Sequence, residues 1–449
     1  MYPYIDVRAF DTRIVDGYPL IEAKKPVLFS EGLTSTASVA YLIVLMSAGF
    51  LTNFVPTGTV GAGTFLLYSL AGLLSFAGIL YLLNPLGKKV AIAAASVLVL
   101  SSLAAFKSIF DVNPISQRVR ELAIYFLGAW PFLFFIQVNS GRLRERLLKV
   151  LTVGLFGLSV FAIFQSIFAD SLPLSLFALR GDNAFGVGDN QLRPTGLTGN
   201  PIIFSSILVL AAALFAALWL EKRKFRFLIA LFCSLVANYV TYTRTSIVLV
   251  IPVLILVWLL HHRFRIKHKI IALMVVAVTV AGAQFLWVNG GDLILIQRLQ
   301  SSNEESLVST LGHFKQIQDA KDAIALHPLA GTGMGSEGDF VGSTDMIITD
   351  GAWWALLLEF GVPLTILIGF MLLITLIPVS KYVLRADSKK RALAIATLSF
   401  HAYILPANFI NSALLGHISF GLYWVVLGLS FAAANNGPNP SPNLLSRRG

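Results

Sequence analysis

Three charged positions stand out because their surroundings are so apolar. Arg193 opens "RPTGLTGNPI" (193–202), where Gly196, Gly199 and the pair Asn200-Pro201 lead into a long apolar run. Arg244 stands in "TYTRTSI", isolated among Thr241, Thr243, Thr245 and Ser246. Asp350 immediately precedes "GAWWALLLEFGVPL", which carries Glu359 nine residues further on. A guanidinium offers a planar fork of donors that matches an anion such as phosphate. Glycines let a backbone approach that anion, and an Asn N-cap followed by Pro begins a helix whose first amides favour negative charge. A carboxylate at a helix head can accept a proton from a hydroxyl. The chemistry suggested is anion binding combined with deprotonation of a nucleophile.

Each residue also has a plainer role. Arg193 and Arg244 suit the rim of a membrane as snorkelling or loop arginines. Asp350 suits a helix start through the dipole alone. The depth of Glu359 calls for a partner or a water-filled cavity. His401, Asn408, Asn411 and His417 decorate the last two apolar runs. Singly they read as hydrogen-bonding glue between helices. Asn408, Asn411 and His417 fall toward one side, where with Glu359 they would also suit the acceptor side of a polar cavity, whereas His401 lies nearer the middle.

These groups need a frame, and hydropathy supplies it. Of 449 residues, 56% are hydrophobic and only 13% charged, against about a quarter charged in soluble domains. The expected fold is all-α: a polytopic membrane protein of about 12 transmembrane helices. The spans run approximately over 37–55, 60–83, 89–107, 119–138, 147–169, 200–220, 226–241, 243–260, 269–288, 350–377, 391–410 and 413–433. Tails of 1–36 and 435–449 flank a membrane domain of 37–434. Alternate connections divide the 34 Lys and Arg residues into sets of 25 and 9. The positive-inside rule then places both termini in the cytoplasm. The net charge of +11 is thereby topological, and no nucleic-acid partner is called for. The one cysteine, Cys233, lies within a span, and no cleavable signal peptide is evident.

This topology sends two long connections outward, at about 170–199 and 289–349, the second between spans nine and ten. Loops of such length are usually functional. Within the second, "STLGHFKQIQDAKDAIAL" (309–326) spaces Phe314, Ile317 and Ile324 for an amphipathic helix near the outer membrane surface, with Ser309 or Thr310 as N-cap. "HPLAGTGMG" then ends it. No metal-ligand cluster, Walker loop or dinucleotide-binding glycine pattern occurs, so no metal and no cofactor is expected.

The ordered set "RPTGLTGNP", "TYTRTS", loop helix, "HPLAGTGMG" and "TDGAWWALLLEFGVP" resembles the O-antigen ligase and O-antigen polymerase superfamily, most strongly over about 190–365. The resemblance implies a metal-independent glycosyltransferase of the bacterial inner membrane, with its active site facing the periplasm. It implies a donor glycan on undecaprenyl diphosphate, passed to a hydroxyl of lipid A-core by ligases or of a second lipid-linked repeat by polymerases. It matches Arg193 and Arg244 to diphosphate-binding arginines. Where many members begin the loop helix with arginine, this chain has "LGHFKQ", so His313 or Lys315 has to supply that cation. Where ligases have histidine at the head of the tenth span, this chain has Asp350, which favours a polymerase. Asp350, His313 and His417 remain the candidates for the base. A polysaccharide chain-length regulator is a partner to test for. The competing class is a lipid-linked glycan transporter or flippase, which would place polar groups along a path through the membrane; the first five spans hold almost none.

Overall fold

The computed structural model describes residues 12–15, 18–21, 31–53, 62–82, 88–111, 115, 118, 122, 128–138, 140–177, 186–187, 191–262, 304–333, 351–385, 391–410 and 417–435. Apart from two short hairpins, β1–β2 (Thr12–Val15, Tyr18–Ile21) and β3–β4 (Gly186–Val187, Gln191–Leu192), the described architecture is helical. The helices are α1 (Glu31–Asn53), α2 (Ala62–Leu82), α3 (Lys88–Phe110), the short α4 (Pro131–Phe135), α5 (Gly141–Ile167), α6 (Pro201–Lys222), α7 (Phe225–Val240), α8 (Arg244–His261), α9 (Glu304–Leu326), α10 (Ala352–Arg385), α11 (Ala392–Ala407) and α12 (His417–Asn435).

Five of these are long and apolar enough to cross a membrane, and five further apolar helices are shorter. The expected fourth span meets only α4 among the described residues, and the expected ninth lies outside them. The first helix begins at Glu31 rather than at 37, so it takes in the end of the expected N-terminal tail.

α6 is the centre of the bundle. It is apolar all round, and residues from Phe204 to Leu218 are buried without interruption. A helix hydrophobic on every side belongs in the interior, and α6 packs against α5, α7, α8, α11 and α12. Buried hydroxyls stitch the bundle. Ser159 and Ser234 meet at 3.1 Å between α5 and α7, and Ser206 and Tyr403 at 2.9 Å between α6 and α11. Thr397 and Ser430 meet at 2.8 Å between α11 and α12. His401, expected as glue, is glue here: its Nδ1 lies 2.9 Å from the Tyr423 hydroxyl.

One end of the bundle is tied by Glu221 and Arg391. The Glu221 carboxylate accepts from the Arg391 and Ala392 amides at 2.7 and 2.8 Å, capping α11 from a neighbouring helix. Arg391 donates in turn to the carbonyls of Val383, in the last turn of α10, and of His261, the last residue of α8. Since α8 and α11 pack together and are pinned where one ends and the other begins, they run antiparallel. The head of α8, with Arg244, therefore lies at the same end as the close of α11. The Ser206–Tyr403 bond sets the head of α6 at that end too.

The loop helix is longer than the sequence suggests. It starts at Glu304, so Ser309 and Thr310 sit inside it rather than capping it. Two acidic residues, Glu304 and Glu305, occupy the first turn, where the dipole favours them. Its packed face follows Ile317, Ala320 and Ile324 against α10, whereas Phe314 turns outward and is 66% exposed. Phe314 stands about 60° round the helix from Ile317, at the margin of a face centred on Ala320.

Candidate active site

The segment 193–200 is braced on three sides. Arg193 is 8% exposed. Its Nε donates to the Thr241 carbonyl at 2.8 Å and its Nη2 to Thr243 Oγ1 at 2.9 Å, across the turn between α7 and α8. Gln165, fully buried near the end of α5, accepts from the Gly196 amide at 2.8 Å. Its Nε2 donates back to the Gly196 carbonyl and to that of Leu176. Thr195 Oγ1 donates to the Phe177 carbonyl. Asn200 caps α6 as its sequence suggests, accepting from the Ile202 and Ile203 amides at 2.8 and 3.2 Å, with Pro201 at the first helical position. The Gly196 amide and the first side-chain-cappable amides of α6 thus have partners inside the protein. Gln165→Leu is expected to leave the buried Gly196 amide without its partner, to remove a donor from the Gly196 and Leu176 carbonyls, and to destabilise by roughly 2–4 kcal/mol, judged at about 1–3 kcal/mol for a lost buried partner; a detergent-solubilised thermal melt measures it.

The turn that Arg193 grips is strained. Tyr242, between Thr241 and Thr243, has φ 51°, a left-handed conformation uncommon outside glycine. α8 starts directly after it, and Thr243 at its N-cap makes no side-chain cap bond. The Thr243 hydroxyl turns instead to Arg193 and, at 3.4 Å, to the Pro201 carbonyl. Arg244 is half-buried as the first residue of α8. A helix head without a side-chain cap, carrying an arginine, is a favourable place for an anion.

The head of α10 is the second half of the site. The Trp353 amide donates to the Asn408 carbonyl at 3.1 Å, its indole to the Leu405 carbonyl at 2.9 Å, and the Trp354 indole to the Phe409 carbonyl at 3.0 Å. These bonds fix the start of α10 on the end of α11. Lys321 of α9 lies over the Trp354 ring, 5.7 Å from its centroid. Lower down, α10 breaks at Gly361 (φ 72°, ψ 174°), in "EFGVP". "HPLAGTG" docks into the break: Thr332 donates its amide to the Leu358 carbonyl at 2.6 Å, and the Val362 amide donates to the Pro328 carbonyl at 2.9 Å. The backbone groups freed by the break are satisfied by the loop, a requirement for irregular backbone at membrane depth. Glu359, 1% exposed, sits two residues before Gly361.

A family model described as O-antigen ligase matches residues 229–369. Over those residues the chain is similar to the O-antigen ligase family, which supports the resemblance read from the sequence. No curated protein matches the chain. The match takes in Arg244, the loop helix and the break in α10, and starts after Arg193.

The expected residues fall into groups. Arg193 and the turn bearing Arg244 are brought together directly. Asn408, fully buried, joins the α10 head through its carbonyl. Lys315 is exposed on α9. Asp350 and Asn411 lie outside the described residues, as do the side chains of His313 and His417, although His313 falls within α9 and His417 begins α12. Sequence reading missed Gln165, Thr243 as an arginine partner, Lys321, and the Gly331–Gly361 dock. Gln165 announces itself only as a lone amide in an apolar run. Lys321 needed the packing of α9 on α10 before its place over Trp354 was visible.

Proposed function

We propose that the protein is a periplasm-facing glycosyltransferase of the bacterial inner membrane, moving a glycan from undecaprenyl diphosphate to an acceptor hydroxyl. The observation that carries this reading is Arg244 at the uncapped head of α8, at the bundle end where α10 begins. Diphosphate is a ready leaving group, so its charge must be stabilised and the acceptor must lose a proton. An arginine beside helix amides in a poorly solvated place serves the first need. Asp350, one residue before Gly351, is the base we propose for the second, with the acceptor held between it and the polar end of α11 at Asn408. Lys321, over Trp354, takes the auxiliary cation role that the sequence left to His313 or Lys315. The first step breaks the bond between the anomeric carbon and the diphosphate oxygen and forms one to the acceptor oxygen; the acceptor proton passes to the base, and undecaprenyl diphosphate leaves.

Asp350 in place of the ligases' histidine supports a surface-polysaccharide polymerase, making O-antigen or exopolysaccharide. The O-antigen ligase description of the matching family favours a second reading, ligation onto lipid A-core. The two separate on one assay. Purified protein is given undecaprenyl-diphosphate-linked repeats with and without lipid A-core. Longer lipid-linked chains without core are the polymerase result; product that forms only with core overturns it in favour of the ligase.

A further inference from the structure

We propose that Arg193 is a positioning residue, which presents Arg244 to the donor diphosphate through the Thr241–Tyr242–Thr243 turn. The inference rests on the reading of Arg244 as the diphosphate cation given above. Its basis is the geometry of the fork. Nε and Nη2 of Arg193 end on the Thr241 carbonyl and on Thr243 Oγ1, the residues on either side of Tyr242. They straddle the one residue of the turn that is held left-handed. A left-handed non-glycine residue persists only where its surroundings over-determine it, and a two-point arginine clamp across it does that.

The same clamp sets the head of α8. Thr243 is the N-cap residue, yet its hydroxyl accepts from Arg193 and donates toward Pro201 instead of turning onto the α8 amides. Arg193 thereby fixes the direction in which α8 sets out and keeps a side-chain oxygen away from its first amides, next to Arg244. The arrangement is itself held from behind, because Gln165 grips Gly196 three residues after Arg193. Arginine suits the task better than lysine, since two donors in a fixed plane set both distance and angle.

The test is binding of undecaprenyl diphosphate to the detergent-solubilised full chain, with thermal melts confirming that each variant is folded. Arg244→Gln is expected to weaken binding, and Arg193→Gln to weaken it about tenfold through the displaced turn, near the cost of one charge-assisted hydrogen bond. Thr243→Val, which keeps shape and loses the hydroxyl, should repeat most of the Arg193→Gln loss. Thr243→Ser should restore binding. The decisive variant is Arg193→Gln with Arg244→Gln. If Arg193 acts through Arg244, the pair binds no more weakly than Arg244→Gln alone. Losses that multiply would make Arg193 an independent diphosphate contact and overturn the proposal, as would unchanged binding in Arg193→Gln and Thr243→Val. If Arg193→Gln does not fold, the Thr243 pair decides alone: equal binding by the valine and serine variants overturns it. Unchanged binding in Arg244→Gln sinks the reading of Arg244 itself, an outcome distinct from failure of the clamp.

Discussion

Arg244→Ala is expected to lower glycan transfer on the order of 10²–10³-fold, the loss typical when one preorganised donor to a developing negative charge is removed. The protein should still express and remain monodisperse, because Arg244 is half-buried at a helix head and outside the fully buried core. Arg244→Lys keeps the charge and loses the fork, so it should fall between the two. The measurement is initial-rate transfer in proteoliposomes at saturating acceptor. A fully active Arg244→Ala protein would remove this residue from the mechanism.

The second large effect is structural. Gly361→Ala is expected to destabilise by roughly 3–5 kcal/mol, among the largest losses a single substitution causes. At φ 72° and ψ 174° the backbone is in a region essentially reserved for glycine. A Cβ there would stand 2.5 Å from the Leu329 carbonyl oxygen and 2.8 Å from the Gly331 amide nitrogen. Both obstacles are backbone and cannot rotate away. Gly331→Ala meets the same wall from the other side, against the Leu358 carbonyl and 2.7 Å from the Gly361 amide nitrogen. Gly369 lies in the same helix with nothing within 4 Å of a built Cβ, so Gly369→Ala is the control and should be neutral or slightly stabilising. Equal melting of the Gly361 and Gly369 variants would refute the dock.

Much of this arrangement is legible in the chain before any coordinates. Spans declare themselves because a bilayer demands long apolar runs, and Asn200-Pro201 announces the α6 head because capping is local chemistry. The helix within the large loop is visible from Ile317 and Ile324, although its start is not, since capping signals at Ser309 and Thr310 compete with the acidic turn at Glu304. What local pattern does not carry is who meets whom. Arg193 looks like an open anion fork in sequence; in the fold its donors reach Thr241 and Thr243, 48 and 50 residues away. "HPLAGTGMG" and "EFGVP" each look like an ordinary breaker, and only their docking explains why glycine occurs in both. Contacts of this kind depend on tertiary packing and leave no period in the sequence.

The proposed activity makes a glycosidic bond at the expense of a lipid diphosphate. The direct measurement reconstitutes the purified protein in sealed vesicles with an undecaprenyl-diphosphate-linked glycan and follows both lipid and glycan. The expected result is a glycan joined to a new acceptor hydroxyl, with one undecaprenyl diphosphate released per transfer, and loss of both signals in Arg244→Ala. Donor that crosses the bilayer unchanged, with no new bond and no released diphosphate, would contradict it.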